Sequence, residues 1–75
     1  MFKSRLPALV ARKSERDQRK YTQVEISKAA QLRQPTISAW MNYSRRFNRI
    51  DAGVVAPLAE WLGCDPCDLF EYTND

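Results

Sequence analysis

Seventy-five residues, 44% hydrophobic and 28% charged, suffice for one small domain with an apolar core and are too hydrophobic for a disordered chain. No apolar run approaches the length of a membrane span. Residues 1–17 interrupt their Leu and Val with Pro, Ala and Arg, so no signal-peptide core forms and a cytoplasmic location is expected. The formal charge of +3 is segregated: residues 1–50 hold all 12 Lys and Arg with only Glu15, Asp17 and Glu25, a balance of +9, whereas residues 51–75 hold six acids and no Lys or Arg. Such a chain attracts a polyanion at one end and repels it at the other, which orients a bound domain.

Lys3 to about Lys20 reads as the first helix. Ser4 caps it, Pro7 lies in its first turn, and Leu6, Leu9, Val10 and Lys13 mark a mostly apolar stripe. From Arg12 to Lys20 no apolar residue occurs, so this stretch is either a solvated helical extension or a loop, with Arg16, Arg19 and Lys20 available to phosphates. Tyr21 then stands where a hydrophobic staple belongs.

Thr22 and Glu25 form a capping box, in which the Thr hydroxyl takes one helix N–H and the Glu side chain returns to another. Ile26, Ala29, Ala30 and Leu32 follow at helical spacing. Pro35 suits the first turn of a further helix with Ile37, Trp40 and Met41 on one side. Only residues 30–33 are left to join the two helices, and so short a joint makes them cross steeply as a helix-turn-helix over 22–42. The outward set is then Gln34, Thr36 and Ser38 with small Ala39, a polar face narrow enough for a major groove.

Residues 42–51 form a connection in which Arg45, Arg46 and Arg49 surround Phe47. Asp51 caps a fourth helix that runs to Leu62 and is stopped by Gly63, with Val54, Val55, Leu58, Trp61 and Leu62 as its apolar face. Pro57 removes one hydrogen bond from its ladder. Asp65, Pro66 and Asp68 open a short fifth helix carrying Leu69 and Phe70, and residues 73–75 form a flexible tail. One domain over 1–75, all-α with about five helices, is the predicted architecture.

Thr22-Gln23, the Ile26/Ala30/Leu32 spacing, Gln34 and Ile37-Ser38-x-Trp40-x-Asn42 resemble the helix-turn-helix of the phage-repressor (Cro/CI-type, XRE) family. The string from Leu58 through Leu62-Gly63-Cys64, Pro66, Asp68-Leu69 and Glu71-Tyr72 is similar to the C-terminal helices of its small members. The resemblance spans roughly residues 4–72 and implies a lambda-repressor-like fold that binds double-stranded DNA. It implies that Gln23 touches a phosphate and braces Gln34, and that Asn42 and the loop after it, with Ser44, Arg45 and Arg46, ride on the backbone. Gln34 offers a donor and an acceptor side by side, which fits the N6/N7 edge of adenine. Arg33 suits guanine or a phosphate, Thr36 and Ser38 a phosphate or a base, and Pro35 and Ala39 only apolar contact such as a thymine methyl. Gln31 stands where the family most often has Gly, at a cost on the order of 1 kcal/mol if the turn is left-handed.

Cys64 and Cys67 make a Cys-x-x-Cys, but with no His and no further Cys a four-ligand zinc site lacks ligands, and no βαβ context supports a redox motif. Structural reduced thiols are expected, with Cys64 at an apolar position. With only two glycines, no phosphate-cradling loop exists, and no nucleophile–base constellation appears, so no enzyme and no cofactor are expected. The sequence points to a transcriptional regulator that represses a near-palindromic operator as a homodimer. The alternative is an antitoxin-like interaction module of the same fold, whose acidic C-terminal helices hold a protein partner while DNA binding is secondary.

Overall fold

The computed structural model describes residues 1–42 and 44–74, so Asp75 of the expected tail lies outside the described residues. In chain order the elements are β1 (Phe2–Ser4), α1 (Leu6–Asp17), α2 (Gln23–Ala30), α3 (Gln34–Trp40), β2 (Arg46–Phe47), α4 (Ala52–Leu62), a single 3-10 turn (Pro66–Leu69) and β3 (Phe70–Tyr72). The strands form one antiparallel sheet in the order β2-β1-β3.

This sheet corrects the all-α expectation. Its β1 takes the residues assigned to the start of the first helix, β2 lies in what was read as a plain connection, and β3 with the 3-10 turn replaces the fifth helix. The cause is non-local: Phe2 pairs with Phe47 on one side and Tyr72 on the other, and Lys3 with Arg46 and Glu71. Ring contacts of Phe2 with Phe70 and Tyr72, both 5.7 Å between centroids, add cross-strand packing that three residues of helix cannot offer. Thr73 continues the pairing, donating its N–H to the Met1 carbonyl at 2.8 Å.

The core has one contribution from each helix and one from the 3-10 turn. Leu6, Ile26, Ile37, Leu58 and Leu69 are fully buried, joined by Val10, Ala30, Trp40, Val55, Ala59 and Leu62. Each large aliphatic side chain contributes about 1.5–3 kcal/mol by leaving water, and together they fix how α2 and α3 lie on α4.

Three helices end alike. Gln18, Gln31 and Gly63 have φ of 55°, 56° and 71°. At each, that residue and the next return their N–H groups to the last-turn carbonyls, for example Gln31 to Lys28 at 3.3 Å and Leu32 to Ser27 at 3.0 Å. This is the Schellman arrangement, and only the third uses the glycine that left-handed backbone favours. At the second, the Ser27 hydroxyl also donates to the Leu32 carbonyl, closing the turn from its own side chain.

The charged stretch after Ala11 is helical to Asp17 and then turns. Lys13 lies with its ammonium 5.1 Å from the Trp61 ring centroid and 3.4 Å from Asp17, its stem covering apolar surface. Tyr21 packs edge-on against Trp61, 5.2 Å between centroids, so its partner is α4. At α4, Asp51 accepts the Gly53 N–H at 2.8 Å, and Pro57 sits inside the helix, as the sequence indicates.

Candidate nucleic-acid interface

The helix-turn-helix forms where the sequence places it. Thr22 Oγ1 accepts the Glu25 N–H at 3.1 Å, and Glu25 Oε1 accepts the Thr22 N–H at 3.3 Å. This closed box starts α2 and leaves the N–H groups of Gln23 and Val24, the first two of the helix, for an outside acceptor. Glu25 is held a second time by the Arg19 guanidinium, which also lies over the Tyr21 ring at 4.5 Å.

Eight residues of α2, a three-residue turn and seven of α3 follow. Ile37 and Trp40 are buried. At about 100° per residue, Pro35, Ser38 and Ala39 fall on the side away from them, with Thr36 and Gln34 flanking. Accordingly Arg33, Gln34, Pro35 and Ser38 are exposed, and Thr36 and Ala39 half-buried. Gln23 reaches this surface from α2: it lines, with Gln34, Pro35 and Ser38, one shallow depression. The two amides share its wall without a hydrogen bond between them.

Of the backbone-contact candidates, Asn42, Ser44 and Arg45 are exposed directly after α3. Asn42 Oδ1 accepts the Ser44 N–H at 2.9 Å, an Asx turn that leaves both amide protons of Asn42 for an acceptor. Arg45 lies over Phe47 at 5.8 Å. Arg46 is part of β2 opposite Lys3 and donates to the Arg45 carbonyl at 3.3 Å, so it is held by strand pairing. Arg16, Arg19 and Lys20, the three read near phosphates, are all exposed, and Arg19 and Arg16 pair with Glu25 and Asp17.

Two supporting residues escaped the sequence. Ser4, read as a helix cap, is buried and does two jobs: its hydroxyl accepts the Leu6 N–H at 3.1 Å and donates to the Trp40 carbonyl at 2.6 Å. It therefore pins the last turn of α3 to β1. Phe47, placed by the sequence in a connection, stacks on Trp40 at 4.9 Å and 27°, which fixes the loop carrying Arg45 against the same helix end. No helix or strand spacing signals either contact, because Ser4 lies 36 positions from Trp40 and Phe47 reaches it from β2, outside α3.

The cysteines are free, Cys64 half-buried and Cys67 exposed. Burial, then Asp68 and Asp65, push the Cys64 thiol up; Asp65, then burial and Asp68, push up Cys67. Burial and the carboxylates together thus outweigh any thiolate-favouring effect of the turn's N-terminus.

A family model described as the Cro/C1-type HTH DNA-binding domain matches residues 13–75. The chain belongs to that family. Comparison with curated proteins and with solved structures finds no match. None of the helices is long and apolar enough to cross a membrane, among the described residues.

Proposed function

We propose that this protein is a sequence-specific double-stranded DNA-binding transcriptional regulator that represses by occupying a near-palindromic operator as a homodimer assembled on DNA. The observation that carries this reading is the exposed set Gln34, Pro35 and Ser38 on α3 sharing one depression with Gln23 at the start of α2. Base-reading and phosphate-contacting groups then meet the duplex together.

In this reading α3 enters the major groove. Gln34 pairs with adenine N6/N7, Arg33 with guanine or a neighbouring phosphate, and Thr36 and Ser38 with base edges or phosphate, while Pro35 and Ala39 offer apolar contact to a thymine methyl. Gln23, Asn42, Ser44, Arg45 and Arg46 hold phosphates and set the register. Because seven residues of helix read few base pairs, two copies on half-sites about one helical turn apart are needed for useful specificity. The six acids of 51–75 repel the polyanion, which opposes docking through that part of the chain.

Selection from random duplex DNA, with the winner titrated against scrambled duplex at two salt concentrations, tests it. A two-fold symmetric winner with a specificity ratio above about 10³ is expected. Binding that ignores sequence and vanishes with salt would overturn the base-reading role.

A further inference from the structure

We propose that the outer edge of β3 and the apolar groove beside it form a docking surface for an extended peptide with alternating apolar and basic residues, taken up as a fourth strand. β3 is an edge strand, since the sheet order is β2-β1-β3. The N–H of Arg5 donates to the Leu69 carbonyl at 2.8 Å and that of Thr73 to the Met1 carbonyl at 2.8 Å. Antiparallel ladders alternate hydrogen-bonded and non-bonded pairs, so Leu69, Glu71 and Thr73 face β1 with their main-chain groups. Phe70 and Tyr72 therefore turn their N–H and C=O groups outward, a ready template for an added strand.

The side chains give this edge two chemically distinct faces. Phe70 and Tyr72 lie on the side of Phe2, and Tyr72 is 68% exposed. At Phe70 the edge opens into a groove lined by Ile50, Val55, Ala56, Pro66 and Cys67, almost wholly apolar. Glu71 lies on the other side with Lys3 at 3.9 Å. Asp51 and Asp65, each next in sequence to groove residues, are exposed at its rim with Asp68. Asp65 and Asp68 act on its lining, Asp65 being the foremost cause of the raised Cys67 thiol.

Charge selects the occupant. A second copy pairing β3 with β3 about a two-fold axis would join Phe70 to Tyr72 of the other copy and set Glu71 directly against its own equivalent. That is a close non-bonded pair of like charges, with the remaining acids of 51–75 added on both sides. Nucleic acid is repelled for the same reason. A strand with Lys or Arg opposite Glu71, and aliphatic residues opposite Phe70 and Tyr72, satisfies the edge, the rim and the groove together.

The probe is a capped peptide alternating valine and lysine, read by ¹⁵N–¹H spectra of the full chain, with a glutamate-for-lysine peptide as control. The lysine peptide is expected to shift the Phe70 and Tyr72 amide signals saturably, and the glutamate peptide to leave them unmoved. Glu71→Lys turns the attractive cross-strand pair repulsive and should weaken binding about tenfold. Tyr72→Pro removes an outward N–H while leaving the ladder bonds to β1 in place; it also forfeits the ring contact with Phe2, so it should abolish peptide binding at some cost in thermal stability while DNA binding persists. Equal binding of both peptides, no shift at the two amides, or a concentration-dependent homodimer that Tyr72→Pro dissolves would each overturn the proposal. None of the overturning outcomes is read on DNA, so a failure here leaves the operator reading standing.

Discussion

The face built by α2 and α3 and the face built by β3 are held by opposite means. In the first, the hydrogen bonds that start α2 and close the turn are short in sequence: Thr22 with Glu25, Gln31 with Lys28, Ser27 with Leu32. In the second, Met1 meets Thr73 across 72 positions, and the sheet exists only when both chain ends are brought together. One is basic and polar, the other acidic with an apolar groove. The helix-turn-helix is therefore a locally specified unit presented to a ligand, and the sheet is the device that closes the domain around it. Ser4 and Phe47 connect the two by gripping the last turn of α3.

The largest expected effect strikes both faces at once. Leu58→Ala empties a fully buried position and should cost about 2–5 kcal/mol in urea unfolding. Operator affinity and β3 amide dispersion should then be lost together with denaturant.

Gln34→Ala separates the faces. It should relax discrimination at one base pair by about 1–3 kcal/mol, whereas Arg45→Ala should weaken all duplexes alike and lower the salt slope by about one unit. Neither substitution should move the urea midpoint appreciably, because both residues are exposed. Equal weakening of operator and random DNA by Gln34→Ala would end its base-reading assignment.

Thr22→Ala opens the capping box and should cost about 1 kcal/mol of stability, with the loss concentrated in hydrogen exchange of α2. Gln31→Gly sharpens the contrast from the other end. It relieves a left-handed backbone at φ 56° and should raise stability by up to about 1 kcal/mol, as Gln18→Gly should at the equivalent end of α1.

The smallest effect is one of pH. The Tyr21 hydroxyl, with Lys13 and Arg16 adding to it, holds the Asp17 carboxyl below the usual carboxylate range. A lowered folded-state value contributes stability that is present above the unfolded value and is lost as pH falls through the folded one. The acid limb of stability should therefore be shallower in Asp17→Asn, measured as urea midpoints at descending pH. Tyr21 is raised by the same bond to Asp17, so its contribution holds below the ordinary phenol range and fades as pH rises through the folded value.

What the sequence determined by itself was whatever neighbouring residues decide. The Thr22–Glu25 box, the Gln31 turn, the Asp51 cap, the Gly63 stop and the apolar stripes of α2, α3 and α4 depend on spacings of two to five residues, which a linear chain displays. So did the charge division that separates the two faces, and the outward set around Gln34. Tertiary structure decided the rest. Ser4 accepts the Leu6 N–H as a cap does, yet its own proton goes to the Trp40 carbonyl, 36 positions away, and pairing with Phe70 of β3 makes its backbone extended. Residues 70–72 continue a helical signal, yet the free side of β1 offers them a ladder and the ring of Phe2. Local propensities differ by tenths of a kcal/mol per residue, so a few long-range hydrogen bonds and one aromatic cluster suffice to overrule them.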